Sequence, residues 1–219
     1  MSGGYLRRYT QLPSLIYTLT ERKLTLLDPQ SWADTNDSYY MGLYRETARL
    51  KSLLALCFTL DSETFHHWKV FAPGPAGVCI EFERNELTER LQRHPGIQVA
   101  PVQYIKLPDR RKMRPDPAEL PFIKRYGFRH EEECRAVYAS LRKVHPTLDV
   151  KIKLTDIARI RLSPWLPLQL RSHVVKTLRG IRDCGNLSIV RSTLISNQEW
   201  KDLGRKAADK VRRSTTHRV

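Results

Sequence analysis

Apolar residues recur along the chain in two rhythms, and each rhythm assigns a kind of element. Leu12, Leu15, Ile16 and Leu19 keep helical spacing and predict a helix over residues 12–22, between short strands at 5–9 and 23–27. Residues 53–60 and 77–82 are unbroken apolar runs bounded by polar turns, the pattern of strands buried on both faces. Both are therefore placed centrally in a sheet, with a helix over 62–71 between them, capped by Asp61 or Ser62. A helix at 85–93, a strand at 97–105, and strands at 132–140, 149–153 and 157–162 follow. The stripe Leu170, Val174, Leu178, Ile181 predicts a helix over 168–181, which Gly180 and Gly185 help to end, and residues 187–191 read as a last strand.

Two stretches break the pattern. Asp28-Pro29 opens a polar loop carrying Trp32, Asp34, Asn36 and Asp37, and loops of this kind often carry function. Residues 107–121 concentrate four prolines with Arg110, Arg111, Lys112 and Arg114 and read as a basic flap without regular structure. The whole predicts an α+β fold with a central mixed, largely antiparallel sheet flanked by helices. With 219 residues, 41% of them hydrophobic, there is material for one core and not two. We expect a single domain over residues 1–204 and a basic, flexible tail over 205–219.

Charge changes the picture. Against 23 Asp and Glu stand 38 Lys and Arg, a formal net charge of +15, which draws polyanions and makes nucleic acid the expected partner; a protein partner is also compatible. The excess gathers at 106–114 and 205–218. No run approaches the roughly 18 apolar residues of a membrane span, and the first residues lack the apolar stretch of a secretory signal. A cytoplasmic protein without membrane contact is expected. Cys57, Cys79, Cys134 and Cys184 include no C-x-x-C pair, and three lie in apolar runs, so they read as reduced core residues.

The chain contains no G-x-G-x-x-G, no G-K-[ST], no H-E-x-x-H and no cysteine pair at zinc spacing. His66 and His67 are adjacent, so on a helix they point apart, and no metal is predicted. The constellation that remains is Glu131-Glu132-Glu133-Cys134-Arg135. On a strand, Glu131, Glu133 and Arg135 project to one face. Two such carboxylates repel unless a cation or a substrate compensates, and the arginine both lowers their pKa values and orients them. This is a way to build a site; it is equally the pattern of a structural Glu–Arg network on an edge strand.

Leu6-x-Arg8-Tyr9-Thr10, Asn36-Asp37, Cys57-Phe58-Thr59, Trp68-x-x-Phe71-Ala72 running into residues 77–82, and Glu131-x-Glu133-x-Arg135 occur in that order. The set resembles the bacterial domain-of-unknown-function family twenty-nine seventy-one over nearly the whole chain to about Gly204. It departs from that pattern at Ser38, Phe71 and Pro75. The order of features also resembles that of ADP-ribosyltransferases: a basic residue on the first strand, a Ser or Thr at a later strand end, then Glu-x-Glu.

That second resemblance implies NAD as substrate and assigns roles. Glu133 would be the carboxylate stabilising a ribosyl cation, and Glu131 the residue orienting or deprotonating the acceptor. Arg8 would contact the NAD phosphates or ribose, Thr59 would support, Tyr9 or Trp68 would stack, and Arg135 would orient the carboxylates. The acceptor would be a nucleic acid or a nucleic-acid-bound protein, in a toxin or phage-defence setting. The reading requires the strands of Arg8, Thr59 and Glu133 to converge on one cleft; Arg8 and Glu133 on opposite sheet faces would collapse it and put the alternative first. That alternative is a non-catalytic binding module using Lys106 to Arg114, the helix face of Arg171, Lys176 and Arg179, and the tail. A third reading, a metal-dependent nuclease, would draw on Asp34, Asp37, Glu81 and Glu83.

Overall fold

The computed structural model describes residues 4–112 and 114–216. Strand β1 (Tyr5–Gln11) runs directly into α1 (Leu12–Glu21), which tolerates Pro13 because its first turn needs no backbone donor there. Arg22, left-handed at φ 55°, ends α1 and starts β2 (Lys23–Leu27). Then come α2 (Thr35–Thr47), β3 (Ser52–Thr59), α3 (Phe65–Phe71), β4 (Gly77–Glu83), α4 (Arg84–Gln92), β5 (Ile97–Pro101) and β6 (Gln103–Ile105). The remaining elements are β7 (Ile123–Arg125), β8 (Glu133–Ser140), β9 (Thr147–Lys151), β10 (Ile157–Leu162), α5 (Leu168–Arg179), β11 (Ile189–Arg191) and α6 (Gln198–Thr216).

The main sheet runs β11-β10-β4-β1-β3-β2-β9, with β8 along β3 and β5 along β8. Among the described residues only β10 and β11 pair parallel within it, and β6 and β7 form a separate parallel pair. The expected α+β class and largely antiparallel sheet are present. The long apolar runs do lie at its middle, as β3 and β4 on either side of β1.

The sheet is not closed everywhere. β1 follows β4 over seven register positions and β3 follows β8 over eight. By contrast β1 meets β3 at Arg7↔Thr59, and β2 meets β3 at Leu27↔Ala55, a single position each. Between those two points no strand among the described residues pairs with the edge of β3 at residues 56–58. On one face Leu6, Leu54, Leu56, Phe58, Ile80 and Phe82 pack against α1, α4 and α5 in the main core. The other face carries two smaller apolar clusters, one around Met41, Leu53 and Val137, the other around Tyr9, Trp68 and Cys79.

Several boundaries differ from the sequence expectation, each for a local reason. Asn36 and Asp37 are not in a loop: Asp34 caps α2, its carboxylate accepting from the Asn36 N–H at 3.0 Å. α3 begins at Phe65 rather than residue 62, because Thr64 and not Asp61 or Ser62 supplies the cap. The strand expected over 97–105 is two strands, divided at Val102, whose N–H bonds the Glu133 carbonyl at 2.8 Å. Among its described residues the basic flap has only 3-10 turns, at Leu107–Lys112 and Pro117–Phe122, and the side chains of Arg110, Arg111 and Lys112 lie outside the described residues. The boundary drawn at 204/205 falls within α6. Among the described residues, no helix is long and apolar enough to cross a membrane.

Candidate active site

The opening beside β3 is the mouth of a cavity of about 420 Å³, within the usual range for small-molecule clefts. Residues of β1, β3, α3 and the segment 124–133 line it, and so do Trp32, Asp34 and Asp37 from the start of α2. Pairing places the side chains. Directly opposed residues of antiparallel strands share a face, so Arg7, Thr59 and Glu133 point the same way, as do Cys57 and Arg135.

Arg8 alternates to the other face, opposite Ile80. An intact sheet would separate it from Glu133, the arrangement that weighs against a shared cleft. The parting of β1 and β3 removes that barrier. The Arg8 guanidinium reaches through the gap, donates to the Cys57 carbonyl at 3.2 Å, and lines the same cavity as Glu133. Burial lowers its pKa. Arg7, on the face of Glu133, is already engaged: it donates to Glu81 at 3.0 Å and to the Asp61 carbonyl at 2.5 Å.

Glu131 and Glu133 do meet, though not as neighbours on a strand. Glu131 ends a 3-10 turn, Glu132 is left-handed at φ 42°, and β8 starts at Glu133. Lys124 joins the two carboxylates, its ammonium 2.5 Å from Glu131, 3.2 Å from Glu133 and 3.3 Å from Asp37. Arg135, fully buried, grips Glu133 through Nε at 2.8 Å and Nη2 at 2.9 Å, and grips Asp37 at 2.8 and 2.5 Å. Its remaining donor capacity goes to the Pro121 carbonyl at 2.8 Å, and its guanidinium lies 4.9 Å from the centre of the Trp32 ring.

Three carboxylates thus face two cations, leaving one formal negative charge on this wall when all are ionised. The environments differ. Burial pushes Glu133 up but is outweighed by Arg135 and Lys124, which hold it down at about 2. For Glu131 burial wins over Lys124 and the pKa is raised. Burial also works against the Lys124 ammonium, but Glu133, Glu131 and Asp37 keep it charged above its ordinary range.

Of the two aromatic residues expected to stack, Tyr9 reaches the cavity and Trp68 does not. Trp68 is fully buried, its indole N–H on Glu63 at 2.7 Å and Tyr9 packed edge-on at 5.1 Å, so it cannot stack on a ligand. Tyr9 lines the cavity, 9% exposed. Beside it stand Trp32, Phe71 and Phe128, which sequence spacing did not single out for this role. Thr59 is buried and bonds the turn, its hydroxyl 3.4 Å from the Glu132 carbonyl. Lys124 and Asp37 are the other members that sequence reading missed as part of this cluster; a lysine beside no motif leaves no signal, and Asp37 stood 94 residues before Glu131.

Of the described residues of the other readings, Asp34 and Asp37 line this cavity and the rest do not. Glu81 is held by Arg7, Arg161 and Arg159 on the β4 side, apart from Asp37, and no group of three His, Cys, Asp or Glu among the described residues could hold a metal ion. Arg114, Arg171, Lys176 and Arg179 are exposed. All four cysteines are free, with Cys57 partly exposed on the cavity wall.

No family model and no curated protein matches the chain. Among solved structures it is similar to DarT of Thermus sp. 2.9 in complex with carba-NAD+, at 11% identity and a TM-score of 0.44, over 88% of this chain and 97% of that one. It is likewise similar to the same protein in complex with NAD+, at 10% identity and a TM-score of 0.44, over 88% and 96%.

Proposed function

We propose that the cavity binds NAD as substrate and that the protein transfers its ADP-ribosyl unit to a nucleic acid or a nucleic-acid-bound protein, in a bacterial toxin or phage-defence setting. One observation carries the reading: a single cavity has a carboxylate wall with surplus negative charge, an apolar aromatic flank, and Arg8 projecting from the far strand. NAD has the matching order of charge, a cationic nicotinamide riboside followed by an anionic diphosphate. Breaking the nicotinamide–ribose bond sends its electron pair to the ring nitrogen and leaves positive charge on the ribose. Glu133, held ionised by Arg135 and Lys124, is the carboxylate placed to stabilise that charge. Glu131, with its raised pKa, takes the proton from the acceptor as the new bond to the ribose forms. Arg8 receives the diphosphate, and Tyr9 with Trp32 or Phe71 flanks the nicotinamide. The net charge of +15 supports a nucleic-acid acceptor brought in by Arg110, Arg111, Lys112 and Arg114 of the flap.

The test is incubation of the protein with labelled NAD and either total nucleic acid or lysate, beside Glu133→Gln and Glu131→Gln. NAD loss with label transfer, abolished in Glu133→Gln and reduced in Glu131→Gln, is the expected result. No turnover, with tight salt-sensitive nucleic-acid binding in all three proteins, would overturn it in favour of the binding module.

A further inference from the structure

A buried histidine that no role above uses lines the same cavity. His67, on α3, is fully buried and lies between two rings, stacked on Tyr9 at 5.3 Å and 15° and on Phe71 at 6.1 Å and 28°. Both ring nitrogens are engaged. Nε2 lies 3.1 Å from the Glu131 carbonyl oxygen, and since a carbonyl only accepts, Nε2 carries the hydrogen. Nδ1 then accepts from the Thr64 hydroxyl at 2.6 Å, and Thr64 in turn caps α3 by accepting from the His67 backbone N–H at 3.2 Å. The tautomer and the ring plane are both fixed.

The carbonyl that His67 holds opens the one irregular step in the carboxylate wall. Glu132 takes a left-handed conformation that costs a non-glycine residue energy and persists only where its surroundings hold it. Each residue of the turn is held by its backbone. His67 holds the Glu131 carbonyl, the Leu60 N–H at 2.8 Å and the Thr59 hydroxyl hold that of Glu132, and the Tyr104 hydroxyl accepts from the Glu133 N–H at 2.9 Å. The turn is what brings Glu131 and Glu133 together on Lys124.

We infer that His67 is a positioning residue: through the Glu131 carbonyl it fixes the turn that aims the Glu131 carboxylate into the cavity. The inference rests on the proposed NAD reading for its kinetic consequence but not for its geometry. Burial lowers the His67 pKa, in keeping with a ring that stays neutral while it donates from Nε2.

The experiment compares the full chain with His67→Phe, which keeps a stacking ring but no donor, and His67→Gln, whose amide N–H can take the place of Nε2. With NAD as the probe, calorimetry should give His67→Phe an affinity within roughly threefold of wild type, because Arg8 is untouched and the phenyl ring keeps the stack on Tyr9 and Phe71. Its rate at saturating NAD should fall by at least about tenfold, the size of loss that a small misplacement of a reacting group produces. His67→Gln should recover most of that rate. Equal turnover in His67→Phe and wild type, or equal loss in both variants, would overturn the inference. Should wild type neither bind nor cleave NAD, the functional reading fails by itself, and a crystal structure of His67→Phe decides the geometry. Glu131 displaced from Lys124 would sustain the positioning role, and Glu131 still on Lys124 would end it.

Discussion

Replacing Arg135 with methionine removes a cation and keeps an unbranched side chain of comparable reach, so it isolates the charge from the space the side chain fills. The guanidinium is fully buried and makes two charge-assisted bonds to each of two buried carboxylates. Removing one partner of such a buried group strands the other, at a typical cost of about 3–5 kcal/mol. Lys124 remains 3.3 Å from Asp37 and 3.2 Å from Glu133, so the lower end, about 3 kcal/mol, is expected. For a chain of this size that is a fall in melting temperature of roughly 6–12 °C. The loss should depend on pH in a definite direction. In the wild type Glu133 is held down at about 2, below its unfolded value, so its contribution is complete above the unfolded value and is lost as pH falls through about 2. Without Arg135 burial is opposed only by Lys124 and the hydrogen bond from Cys57, and the folded pKa of Glu133 rises. The gap between the two proteins should therefore be widest near neutrality and narrow as Glu133 takes up its proton. Urea denaturation of both proteins at neutral pH and at two acidic values measures it. A loss below about 1 kcal/mol at neutral pH, or a gap that widens on acidification, would refute the account of the network.

Arg8→Ala should weaken NAD binding by roughly ten- to a hundredfold, the equivalent of about 1.5–3 kcal/mol for a hydrogen bond to a charged group, measured by calorimetry. Trp68→Ala should cost about 3–5 kcal/mol in stability by urea denaturation, because Trp68 fills the cluster under Tyr9, and Trp68→Phe should leave NAD binding intact. Gly77→Ala should lower the melting temperature, since a Cβ there would stand 2.1 Å from the Ala72 carbonyl oxygen and the β4 entry would have to move; an unchanged melting curve would contradict that contact.

Sequence periodicity reached most of the elements because the physics it reports is local. The apolar runs that became β3 and β4 are short and bounded by polar turns, as buried strands are, and the stripe of α1 had one face to hide. Capping was harder to read: three oxygen-bearing residues near the start of α3 were each able to cap, and the choice of Thr64 over Asp61 or Ser62 follows from where the chain leaves β3. The Glu-x-Glu-x-Arg pattern pointed to two carboxylates that the fold does bring together, though by another route than expected, since the strand begins at Glu133 and a left-handed residue, not strand alternation, brings Glu131 beside it.

The sequence by itself determined the fold class, the central strands, the basic character of the chain and the candidate carboxylates, since each follows from composition or from spacing between near neighbours. Only the tertiary structure decided what surrounds them. Asp37, Lys124 and Arg135 come from α2, β7 and β8, and Trp68 is closed off by Tyr9. The access of Arg8 to the cavity depends on β1 leaving β3 after a single pair. Such contacts join residues far apart along the chain, and no local periodicity encodes a distance between strands that have parted.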